Sequence, residues 1–93
     1  MASPLRRPLL AGNWKMNLTL AQSLELAKLV ASGAGSASGE VAVFVPATAI
    51  TVVGEVLKDT AVRLGAQNCY FEASGAYTGE ISAGQVKDAG CSM

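Results

Sequence analysis

Ala11-Gly12-Asn13-Trp14-Lys15-Met16-Asn17 sets an amide and an ammonium two residues apart, directly after the apolar run Pro8-Leu9-Leu10. The short apolar run fits a strand buried on both faces, with proline suited to its start. Alternation along such a strand puts Leu9, Ala11, Asn13 and Lys15 on one face, an apolar stem ending in two polar groups at its carboxyl end. A lysine ammonium can hold a phosphate dianion and polarise a neighbouring carbonyl, and an asparagine amide can donate alongside it. From these residues alone a second reading stays open, in which Lys15 simply leaves the strand into solvent and Asn13 forms the turn.

Working outward, Thr19 followed three places later by Gln22 is a capping-box pattern, and Leu20, Leu24, Ala27 and Ala31 recur at helical spacing. The pattern predicts a helix from about Leu20 to Ser32. Small residues from Gly33 to Gly39 form a loop, and Val41 to Val45 reads as a second strand. After Pro46, Thr48 is placed to cap a helix carrying Val52, Val53, Val56 and Leu57, although β-branching and Gly54 weaken it. Ala61 to Asn68 reads as a third strand, Cys69 to Ile81 as an irregular loop, and Ser82 to Ala89 as a short helix ended by Gly90. Cys91-Ser92-Met93 has room only to begin a fourth strand. Strands alternating with helices predict an α/β fold with parallel pairing through right-handed crossovers.

A second block, Gly65-Ala66-Gln67-Asn68-Cys69-Tyr70 followed by Gly75-Ala76-Tyr77-Thr78-Gly79-Glu80-Ile81-Ser82-Ala83, stands in order behind the first. Together the two blocks resemble the first strand, third strand and third loop of the triosephosphate isomerase family. The resemblance extends from about Leu9 to Cys91 and weakens across Gly33 to Gly39 and the second helix. It implies the first three βα units of a TIM (β/α)8 barrel, an incomplete parallel sheet in a partial domain over residues 1–93. Barrels of this kind bind ligands at the carboxyl ends of their strands.

The resemblance also implies the chemistry. Dihydroxyacetone phosphate and glyceraldehyde 3-phosphate interconvert through an enediolate, without metal or cofactor, in a cytoplasmic enzyme of glycolysis and gluconeogenesis. Asn13 and Lys15 take the substrate-contacting, catalytic roles. Gln67 and Asn68 support the lysine and the subunit contact, with turn formation as their other reading. Thr78, Glu80 and Tyr77 fall in the loop that reaches into the partner of a homodimer, or serve an ordinary surface loop.

The family works with a histidine and a glutamate, and this chain holds no histidine. Glu25, Glu40, Glu55, Glu72 and Glu80 are its only glutamates, none in the later loop where the family's base belongs. The 93 residues also fall far short of the roughly 250 of a full barrel. The reading is therefore a fragment, close to the front third of an isomerase, inactive by itself. The alternatives are an interaction module that pairs with an intact subunit or the missing remainder of the barrel, and an unrelated small α/β protein.

Composition narrows the partners. With 51% hydrophobic and 15% charged residues and a mean hydropathy of +0.36, the chain has apolar surface to bury and is not of the disordered class. An open three-stranded sheet would leave two edges and an apolar face uncovered, so marginal stability or aggregation is expected in isolation. Seven basic and seven acidic side chains cancel, and Arg6-Arg7 is too small a basic cluster to bring nucleic acid or an anionic membrane. No run approaches the roughly 18 apolar residues of a membrane span. Cys69 and Cys91 read as ordinary thiols rather than metal ligands. Neither Gly33-Ala34-Gly35 nor the Gly75 to Gly79 stretch fits a nucleotide-binding spacing.

Overall fold

The computed structural model describes residues 6–93. Three strands, β1 (Leu9–Asn13), β2 (Glu40–Val45) and β3 (Val62–Ala66), form one parallel sheet in the order β1-β2-β3. Between and after them run α1 (Leu20–Ala34), a 3-10 turn (Ala47–Ala49), α2 (Ile50–Leu57) and α3 (Ala83–Ala89). Each strand, connecting segment and helix follows in βα order, the arrangement expected for the first three units of a (β/α)8 barrel.

Local chemistry explains the helix starts. Thr19 accepts from the Gln22 amide while the Gln22 side chain accepts from the Thr19 N–H, so both orphan donors at the start of α1 are satisfied. Ser82 and Gln85 repeat the same box at α3. Gly90, at φ 127, then ends α3 in a conformation that a side chain would oppose.

The second helix differs from expectation at its start. Thr48 lies inside the 3-10 turn, and α2 begins at Ile50 behind Ala49 with no side-chain cap. The reason is that the Ala49 N–H bonds the Pro46 carbonyl at 2.9 Å and the Ile50 N–H bonds the Ala47 carbonyl, so successive i→i+3 bonds take up the Ile50 donor that a Thr48 cap would have served. The helix itself forms despite Gly54 because Ile50, Val53 and Leu57 share a buried stripe.

The core lies between the sheet and α1 and α2, with Ala27, Val43, Val45, Ile50, Val53, Leu57 and Leu64 buried together. Val45 and Val53 are fully enclosed, and each such side chain stabilises the fold by about 1.5–3 kcal/mol. Gly65 permits a close approach, since a Cβ there would occupy the space of the Phe44 ring.

β1 corrects another expectation, for all five of its residues are exposed rather than buried on both faces. It is an edge strand, shielded along one side only by β2, and Leu9 and Leu10 remain about half exposed at 46% and 53%. At the other edge the chain does begin a fourth pairing. The Ser92 N–H reaches the Leu64 carbonyl at 2.9 Å, and the Ala66 N–H reaches the Met93 carbonyl at 3.1 Å.

Candidate active site

At the carboxyl end of the sheet the chain leaves β1 in an irregular turn. The parallel ladder runs one step past Asn13, through the Trp14 N–H to the Phe44 carbonyl at 3.0 Å, and the Trp14 ring is buried. Lys15 then takes φ 55, a positive value rare for a side-chain-bearing residue. Asn13 and Lys15 therefore do not continue one strand face: Lys15 has left the strand. The physical reason is local, because the Asn13 Oδ1 accepts from the Lys15 N–H at 2.9 Å and folds the backbone into an Asx turn.

Two further amides hold the same turn. Gln67, just past the end of β3, donates from Nε2 to the Lys15 carbonyl at 2.8 Å and to the Phe44 carbonyl at 3.2 Å. One side chain thus ties together the ends of all three strands. Asn17 donates from Nδ2 to the Trp14 carbonyl at 2.9 Å. Positive φ values at Lys15 and again at Leu18 (φ 79) carry strain of order 1–3 kcal/mol each, and these hydrogen bonds offset it.

The Lys15 side chain is exposed. Among the described residues the ion pairs are Lys28–Glu25 and Arg63–Glu40, so no carboxylate pairs with the Lys15 ammonium. Arg63–Glu40 sits at the amino end of β2 and β3, away from this corner, and at 42% and 39% side-chain exposure it contributes little stability. A cationic group on a braced backbone turn, with the Asn13 side chain fixed beside it through Oδ1, is suited to an anionic oxygen ligand.

The other expected residues have different settings. Asn68 does not join the Lys15 turn but lines an apolar cavity of about 600 Å³ with Ala66, Cys69, Val86, Cys91 and Met93. Tyr77, Thr78 and Glu80 lie on the long connection between β3 and α3, whose residues 71–80 are all exposed. That connection is pinched at its base by a bridge between Tyr70 and Ser82, with the Tyr70 N–H on the Ile81 carbonyl at 2.7 Å. Tyr70 packs against Phe71 and Tyr77, with ring centroids 4.6 and 4.7 Å apart, so the loop carries its own aromatic cluster.

Residues 8–93 match the family model described as triosephosphate isomerase. The chain belongs to the triosephosphate isomerase family. A triosephosphate isomerase of Methylococcus capsulatus is 47% identical over 89 residues, covering 96% of this chain and 36% of the relative. One from Chlorobium luteolum is 44% identical over 90 residues, covering 95% and 36%. The crystal structure of triosephosphate isomerase from Bartonella henselae superposes with a TM-score of 0.86 at 44% identity, covering 94% of this chain and 36% of that one. The chain therefore spans about a third of the length of these triosephosphate isomerases, and its sheet is the first part of their barrel.

Sequence reasoning passed over Asn17 as a structural group and missed the Phe44 carbonyl altogether. An asparagine three residues beyond an anchored Trp14 was the available signal for Asn17, since its amide closes turns readily. Backbone carbonyls leave no trace in residue identity.

Proposed function

We propose that this segment supplies the substrate-anchoring corner of a triosephosphate isomerase, which interconverts dihydroxyacetone phosphate and glyceraldehyde 3-phosphate through an enediolate. The observation that carries this reading is the Lys15 turn, held by the side chains of Asn13, Asn17 and Gln67, with no carboxylate on its ammonium among the described residues. Lys15 binds the phosphate dianion and lends positive charge to the carbonyl oxygen as it becomes an enediolate oxygen. The Asn13 Oδ1 is occupied by the Lys15 N–H, which directs its amide N–H₂ outward as a donor to the same substrate. Charge that develops in the transition state then meets donors already in place, with no reorganisation needed during reaction.

Proton transfer requires groups that these 93 residues do not provide. There is no histidine. Glu25 and Glu55 lie on helices, Glu40 begins β2 at the opposite end of the sheet, and Glu72 and Glu80 lie on the exposed loop. Loss of a single positioned donor costs about two to three powers of ten in rate, so the 93 residues assayed by themselves turn over no triose phosphate. Gln67 braces the lysine, and Asn68, Tyr77, Thr78 and Glu80 serve the subunit contact of a cytoplasmic homodimer acting in glycolysis and gluconeogenesis.

The test is Lys15→Ala in the complete barrel that contains this segment. A fall in kcat/KM of about a hundredfold or more is expected, and kinetics equal to those of the parent would sink the anchoring role. Turnover by the 93 residues alone, in an assay free of host isomerase, would show that proton-transfer groups had been overlooked.

A further inference from the structure

We infer that Asn17 is a positioning residue for Lys15, closing the turn that aims the ammonium; this rests on the anchoring role proposed above.

Trp14 is a fixed point: its ring is buried and its N–H is bonded to the Phe44 carbonyl. From that point the chain makes positive φ values at Lys15 and Leu18, two departures within four residues. Within these residues apolar packing does not hold this excursion, because Met16, at its crest, is 94% exposed. Polar contacts hold it instead. Asn13 secures the Lys15 N–H from the preceding side and Gln67 secures the Lys15 carbonyl from across the sheet. Asn17 is the contact on the following side, returning the chain to the Trp14 carbonyl through Nδ2 at 2.9 Å.

Asn17 is not needed to start the next element. The N-terminus of α1 is satisfied by the reciprocal Thr19 and Gln22 bonds, which do not involve it. Its hydrogen bond therefore constrains residues 14–17 rather than the helix. Without it, residues 16–18 gain freedom, Leu18 can relax toward ordinary negative φ, and Lys15 relaxes with it. A lysine displaced by an ångström loses much of its value as an anchor even though its charge is unchanged.

The test places Asn17→Asp, Asn17→Ala and Asn17→Ser in the complete barrel that contains this segment. Asp matches asparagine in shape but offers no donor, and at neutral pH its carboxylate repels the Trp14 carbonyl. Serine keeps a short donor. Carbon-13 shifts and the HN–Hα coupling of selectively labelled Lys15 report its φ without reference to turnover. Asn17→Asp and Asn17→Ala are expected to take Lys15 out of the positive-φ region and to raise KM for the triose phosphate about tenfold to a hundredfold, with a smaller fall in kcat. Asn17→Ser is expected to restore part of both readouts, which a packing role would not predict.

Lys15 backbone signals unchanged in Asn17→Asp and Asn17→Ala would overturn the inference whatever the kinetics. Displaced signals with parental KM would support the positioning role of Asn17 and would instead count against Lys15 as the anchor. If the alanine variant fails to fold, the isosteric Asp variant and the Ser variant still give the answer.

Discussion

Gln67 holds the carbonyl oxygen of Lys15 at 2.8 Å across 52 positions of sequence. The same Nε2 reaches the Phe44 carbonyl at 3.2 Å, so an exposed amide fastens the ends of β1, β2 and β3 at one point. The lysine's backbone is thereby coupled to the sheet, while its side chain stays exposed, with no carboxylate partner among the described residues.

Gln67→Ala removes both bonds and is expected to lower stability by about 1 kcal/mol, with a fall in kcat/KM of tenfold or more in the complete barrel. Gln67→Glu should be the worse of the two, because a carboxylate would face two carbonyl oxygens. Urea midpoints and steady-state kinetics on both variants check this, and a Glu variant more stable than the Ala variant would contradict the geometry.

Ser23 is fully buried in α1, and its hydroxyl has no hydrogen-bond partner among the described residues. A buried polar group left unmatched costs about 1–3 kcal/mol. Ser23→Ala should therefore raise the free energy of unfolding by about 1 kcal/mol, read as a higher denaturant midpoint at constant slope. A lower midpoint would mean that the hydroxyl is satisfied in solution.

Cys91 is buried, and desolvation pushes its thiol above the ordinary value of 9.0. The folded state thus keeps the proton where the unfolded state releases it. The contribution of this group is fully present below pH 9.0 and is lost as pH climbs through the raised folded value. Comparing alkaline stability of the parent with Cys91→Ala should show a shallower decline for the variant, and parallel curves would show that the thiol does not titrate differently on folding.

Thr78 is exposed on the 71–80 loop, so its replacement leaves the subunit fold nearly untouched, within about 0.5 kcal/mol. If the loop makes the proposed subunit contact, Thr78→Arg raises the dimer Kd by tenfold or more, about 1.4 kcal/mol. Sedimentation across a dilution series reads this directly, and an unchanged Kd would remove Thr78 from the interface.

Much of the fold was legible in residue order. The Thr19–Gln22 and Ser82–Gln85 spacings announce helix starts because capping is a contact between near neighbours, and Gly90 announces a helix end because only local dihedral freedom is involved. The two motif blocks marked Asn13, Lys15 and Gln67 for attention. The start of α2 was less legible, since Pro46 and Ala49 form a 3-10 turn that displaces the cap from Thr48.

By itself the sequence determined the βα order, the parallel sheet and the family, because periodicity, caps and motif identity are properties of neighbouring residues. Only the tertiary structure decided that β1 is the strand left exposed at an edge within these residues, that Asn68 faces a cavity, and that Gln67 fastens the turn in which Lys15 leaves its strand. Those features depend on which distant groups meet. A hydrogen bond over 52 positions forms only when the sheet brings its ends together, and no local pattern encodes that encounter.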